Sequence, residues 1–224
     1  MSQLAENAPD AAPGLNSSST AASVPQPERR LSPLVAHVGL YGSFGAYLSF
    51  YEDVVEHLFA AVKGGKGSVD GFAPPLLFLM RHAMELRYKY TLSELHQMND
   101  EPYDNKAYGK HGLRCLHAAL RSQHEKAVEK YGLPDRVVSN FNDYCDKTEA
   151  GMNQFESLDS TSFNFRYPVD KAGTPNFPPG QTVDLQAIKL TFDDSMILLR
   201  HTADVLGEYV DIHRWREAEA HGNW

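Results

Sequence analysis

The run Arg81-His82-Ala83-Met84-Glu85-Leu86-Arg87-Tyr88-Lys89 holds the residues of this chain best suited to chemistry. Imidazoles and carboxylates move protons, and guanidinium and ammonium groups hold anions. On a helix turning about 100° per residue, His82, Glu85, Lys89 and His96 share one polar strip, with Arg81 at its edge. Arg81–Glu85 and Glu85–Lys89 are both separated by four, so one carboxylate can bridge two cations. Two readings stay open at this point. The strip is a solvated, salt-bridged face, worth about 0.2–0.5 kcal/mol per pair, or it is partly buried. Phe78 and Leu92, on the same side, favour burial.

Arg87 falls on the apolar arc of Leu76, Met80, Ala83 and Tyr90. An arginine aimed into a core needs a carboxylate, best held bidentate. Asp159 and Asp170, which flank an aromatic segment, are the expected partners, so Arg87 reads as a staple for that segment ahead of a catalytic group. Two further constellations carry chemistry. Arg81, His82 and Glu85 with His111 form a set for proton transfer, and Arg87 with Arg166 could enclose an anion or nucleotide. Arg114, His117, Arg121 and His124 recur at three and four as a basic stripe, read as a wet flank before a phosphate surface. His117 and His124 have no carboxylate between them at ligand spacing, so no metal or cofactor is expected. Gly64-Gly65-Lys66-Gly67-Ser68 lacks the spacing of a phosphate loop, and neither a nucleophile elbow nor a zinc-protease histidine pair occurs.

The elements that must position these residues follow from apolar spacing. Tyr47, Phe50, Tyr51, Val54, Val55, Leu58 and Phe59 predict a first helix ending at Gly64-Gly65. Pro74-Pro75 is expected to open a second, which runs to about Met98, before Asn99-Asp100-Glu101-Pro102. A third follows His111-Gly112 and stops at Gly132-Leu133-Pro134. A fourth begins at Pro134-Asp135 and continues to Leu158. Ser160 to Gly180, rich in aromatic, Pro and Gly residues, reads as a long ordered loop with room for a short hairpin. The last helix, from Leu185 past Ile212, is the longest. The expected fold is all-α, a bundle of about five helices with one long aromatic and Pro-rich loop.

Composition sets the frame. At 224 residues the chain suits a single domain, 33–224, behind an Ala/Ser/Pro-rich tail, 1–32, expected to be disordered. Hydrophobic content of 42% and charged content of 22% are those of a soluble globular protein. A net charge of −8 argues against broad coating of nucleic acid, though not against a local basic patch. Cys115 and Cys145, the two cysteines, read as reduced core residues. No run is long enough for a membrane span and no secretory signal opens the chain, so the expectation is a cytoplasmic protein with no membrane association.

Arg81-His82-Ala83-x-Glu85-Leu86-x-x-Lys89, then His111-x-Leu113, then Asp159…Phe165-Arg166-Tyr167-Pro168-x-Asp170, resembles bacterial helical proteins of the HEPN-like superfamily. The order of elements matches over about 41–213, and the Phe-Arg-Tyr-Pro segment is the distinctive part. The resemblance implies a compact helical domain, often dimeric, from a phage-defence or toxin–antitoxin setting. Its members act as metal-independent endoribonucleases or as inactive binding modules. Their catalytic signature is an arginine followed four to six residues later by a histidine. Arg216, and Arg214 before it, precede His221 near the C-terminus, and Arg30 precedes His37 in the linker. Glu217 after Arg216 departs from the motif. The resemblance therefore implies a non-canonical module that binds RNA, a nucleotide or a partner protein, as a homodimer or within a defence complex. Arg81, His82, Glu85, Arg87, Lys89, His111, Arg166 and Asp170 are its expected binding residues. The alternatives are an endoribonuclease using His221, His82 or His111, and a structural adaptor without ligand.

Overall fold

The computed structural model describes residues 34–106, 108–109 and 111–220; the expected tail, Arg30 and His221 lie outside them. The chain divides after Val38 into two units. The described part of the first, 34–38, carries neither helix nor strand. Among the described residues the second holds five helices, the all-α bundle expected.

Ser43 starts α1 (Phe44–Lys63) by accepting the Ala46 N–H on its Oγ at 3.2 Å, an N-cap that satisfies one orphan donor. α2 (Val69–Met98) begins ahead of the expected Pro74-Pro75 start, because Ser68 caps it and the helix continues through both prolines. A proline cannot donate to the carbonyl four residues back, but Asp70 and Gly71, which lose those bonds, are exposed to water. α3 (Leu113–Tyr131) stops at Gly132, whose φ of 60° is left-handed and costs glycine little. α4 (Asp135–Leu158) follows, and α5 (Leu185–Ala220) is the longest helix at 36 residues.

α2 packs on α1, α3 and α5, and α4 packs on α3 and α5, so α2 sits at the centre of the bundle. Leu76, Met80, Met84 and Leu92 of α2 are fully buried against Val55 of α1, Leu116 of α3 and Leu199 of α5. Gly151 lets α4 meet α5 closely, since a Cβ there would collide with Ser195 Oγ. The loop between α4 and α5 contains no strand among the described residues. Its short hairpin reduces to one bridge, Val169–Pro175, closed by the Asp170 N–H donating to the Thr174 carbonyl at 2.8 Å. Cys145 is buried as expected, but Cys115 is exposed, on the outer side of α3; both are free thiols. Among the described residues no helix is long and apolar enough to cross a membrane.

Candidate functional site

α2 carries its charged residues inside the bundle. Arg81 is 0% exposed, and its Nε and Nη2 donate to the carbonyls of Asp159 and His111, each at 2.8 Å. One guanidinium thus fastens the exit of α4 and the entry of α3 onto α2. Its Nη1 lies 3.7 Å from Glu85 Oε2, and its Nη2 lies 3.6 Å from Glu156 Oε1, which also accepts the Leu113 N–H. Glu85, 1% exposed, accepts from Lys89 Nζ at 2.7 Å and from His111 Nδ1 at 2.9 Å. The bridged carboxylate is present, and the solvated reading of the strip falls, because neighbouring elements close over it. Burial pushes the Glu85 pKa up, but the Lys89 and His111 hydrogen bonds outweigh this and hold it below its ordinary value.

The edge of this seam reaches water. The His82 ring stacks on Phe78 (centroids 5.8 Å apart, 6° between planes) and meets the Tyr51 ring edge-on at 4.5 Å. Burial, helped by the charges of Lys89, His111 and Arg81 against that of Glu85, lowers the His82 pKa and favours the neutral ring. The Arg166 guanidinium lies 5.7 Å from the Phe78 centroid and 5.8 Å from that of Tyr167, which stacks on Phe163. The His111 side chain is 63% exposed, and with Nδ1 engaged by Glu85 its Nε2 has no hydrogen-bond partner among the described residues. His82, His111 and Arg166 are thereby brought together in one strip of rings and cations. Such a strip can stack bases and hold a phosphate.

The loop bearing Arg166 is fixed by Asp159, whose carboxylate accepts the N–H groups of Phe163 at 2.9 Å, Thr161 at 3.2 Å and Phe165 at 3.3 Å. Phe165 is buried and stacks on Phe177. The stapling role expected of Arg87 therefore belongs to Arg81 and Asp159. Arg87 is 5% exposed, but its partner is Glu52 of α1 at 2.9 Å, neither Asp159 nor Asp170. Asp170 is exposed and caps its own turn, accepting from the Ala172 and Thr174 N–H groups. The Arg87–Arg166 constellation does not form. Arg166 sits on Phe78, and nine residues along a helix turn Phe78 and Arg87 to opposite sides. Arg87 instead lines a cavity of about 500 Å³ with Glu52, Glu94, Arg200 and Asp204. Glu52 carried no sequence signal for this pairing.

The basic stripe of α3 is a wet flank only at its arginines, because α2 and α4 cover its two histidines. His117 is buried and its Nδ1 lies 3.0 Å from the Tyr88 hydroxyl. His124 is buried flat on Phe141, with ring centroids 3.4 Å apart. Burial lowers the pKa of both, that of His124 to about 4. Arg121 and Arg114 reach Asp146 and Asn153 of α4 at 2.7 and 3.1 Å.

Near the C-terminus Arg214 lies 3.8 Å from Asp100 and Arg216 is exposed, while the His221 of their motif lies outside the described residues. His37 is exposed, and its motif partner Arg30 is also outside. Among the described residues no group of three His, Cys, Asp or Glu side chains is placed to hold a metal ion. Compared with protein-family models, curated proteins and solved structures, the chain matches none.

Proposed function

We propose that this chain is a non-canonical HEPN-like module of a bacterial phage-defence or toxin–antitoxin system that binds a short stretch of single-stranded RNA. The RNA lies along Phe78, His82, His111, Arg166 and Tyr167. One observation carries the reading: Arg166 lies over two rings, and His82 stacks on one of them, at the water-facing edge of a buried charge network. Bases stacked on such rings contribute about 1–3 kcal/mol each without regard to sequence. Arg166 donates to the Ser162 carbonyl and makes no ion pair among the described residues, which leaves its charge for a phosphate. The overall charge of −8 restricts the contact to a few nucleotides. The exposed apolar stripe Tyr47, Phe50 and Val54 on α1, at three- and four-residue spacing, supports a homodimer through that helix.

A second reading, the metal-independent endoribonuclease, draws on His111, oriented by the Glu85 carboxylate as an acid–base group would be. Both are tested by titrating a fluorescein-labelled single-stranded RNA in EDTA. Saturable binding, weakened about tenfold by Arg166→Ala or His82→Ala with the RNA left intact, is expected. Equal binding by wild type and both variants would reject the module. Cleavage that stops in His111→Ala or His221→Ala would instead make the protein a ribonuclease.

A further inference from the structure

The cavity of about 500 Å³ beside Arg87 is walled by α1, α2 and α5, and charges of both signs face it. Arg87, 5% exposed, forms the inner wall. The neighbours of its guanidinium, Glu52 at 2.9 Å and the Tyr90 ring with its centroid 6.0 Å away, line the same space. Glu52 is shared, because Arg200 of α5 lies 3.5 Å from the same Oε1. One carboxylate therefore serves two guanidiniums. Arg87 Nε, shut off from water, donates to nothing among the described residues. A buried charged donor without an acceptor is destabilising, and a guanidinium holding one oxygen still has N–H groups for a second carboxylate.

The rest of the lining carries the opposite sign. Glu94 is half-buried and Asp204 exposed, and neither makes an ion pair among the described residues. Asp204 stands four residues after Arg200, the spacing that favours a pair on one helix, yet Arg200 turns to Glu52 instead. Burial raises the Glu94 pKa, the Tyr90 hydroxyl works against this, Asp204 adds to it and Arg87 opposes it. The two carboxylates thus repel each other, within the field of the guanidinium across the cavity. Two guanidiniums against three carboxylates leave the lining one negative charge in excess. Leu48, 1% exposed, and the Tyr90 ring supply an apolar wall between the poles.

We infer that this cavity binds a free basic α-amino acid, of the class of lysine. The α-carboxylate meets Arg87 and Arg200, and the α-ammonium meets Glu52. The side-chain ammonium reaches Glu94 and Asp204, while the aliphatic stem lies along Leu48 and Tyr90, as such stems do on apolar surface. Each charge of the ligand then faces its opposite, and its net positive charge cancels the excess of the lining. A simple anion would meet a negative lining, and a diamine would leave the guanidiniums unanswered. The volume lies within the roughly 300–1,000 Å³ of small-molecule sites. The site shares no lining residue with the RNA-binding strip or with the exposed stripe of α1, so the inference stands apart from the proposed function.

Calorimetry on the full chain with L-lysine, L-norleucine and cadaverine, each titrated separately, tests this. Norleucine lacks the side-chain ammonium and cadaverine lacks the carboxylate. Lysine should bind saturably, one per chain, and each of the other two about tenfold more weakly. Arg200→Ala, a substitution on an exposed side chain, should weaken lysine about tenfold and leave cadaverine unchanged. Asp204→Asn, also exposed, should weaken lysine and leave norleucine unchanged. Arg166→Ala on the RNA-binding strip should change none of the three. Cadaverine binding as tightly as lysine would overturn the proposal, since an acidic patch alone would then suffice. So would norleucine binding as tightly as lysine, a lysine affinity unmoved by both Arg200→Ala and Asp204→Asn, or no binding of lysine at millimolar concentration.

Discussion

Two neighbouring parts of the bundle bury polar side chains in opposite ways. Along α2, Arg81, Glu85 and Lys89 are buried as ions, each with partners, and the carboxylate that links them is held charged by Lys89 and His111. Along α3, His117 and His124 are buried too, but burial outweighs the pull of Glu149, 4.0 Å from His117 Nε2, and is unopposed at His124, so both are pushed toward the neutral ring. Burial by itself therefore does not decide charge. A group stays ionised when hydrogen-bonded counter-charges outweigh its desolvation and surrenders its charge when they do not.

Removing a partner should separate the two regions most sharply. Glu85→Ala would leave Arg81 and Lys89 buried without their shared carboxylate, and a loss of about 3–5 kcal/mol in urea unfolding is expected. A loss under about 1 kcal/mol would mean that water already reaches the seam, and the contrast with α3 would collapse.

Acid should act on the two regions in different windows. His124 takes a proton at 6.5 when unfolded and at about 4 when folded, so the unfolded chain binds more protons in between. Its contribution is fully present above pH 6.5 and is lost as pH falls toward 4, on the order of 2–3 kcal/mol. The Glu85 pKa is depressed below 4.5, so the stability it lends is present above that value and is lost only at lower pH. Melting temperature followed from pH 7 to 4 should therefore drop in wild type and drop less in His124→Phe. Equal slopes in the two proteins would remove His124 from the account. The smallest effect is expected where both partners are wet. Arg121 and Asp146 keep 32% and 72% of their side-chain exposure, so Arg121→Ala should change stability by no more than about 1 kcal/mol.

Much of the frame was legible in the residues. Gly64, Asn99, Gly132 and Pro134 end or open helices for local reasons, and all four boundaries lie where the punctuation put them. The start of α2 was misread because Pro74-Pro75 is the louder signal, although Ser68 is the working cap. The candidate site was legible in part. Glu85 between two cations could be read from spacing, but the covering of that strip could not, and Arg87 was assigned the wrong carboxylates. Asp159 does serve the aromatic loop, through its own backbone contacts rather than through Arg87.

Sequence alone determined that five helices form and that Arg81, Glu85 and Lys89 pair, because helical pitch places residues four apart side by side whatever surrounds them. Only the tertiary structure decided that this trio is dry, that Arg87 meets Glu52 from 35 positions away, and that His124 is buried flat on Phe141. Those outcomes depend on which helix covers which face. Long-range packing selects that cover, and no local spacing encodes it.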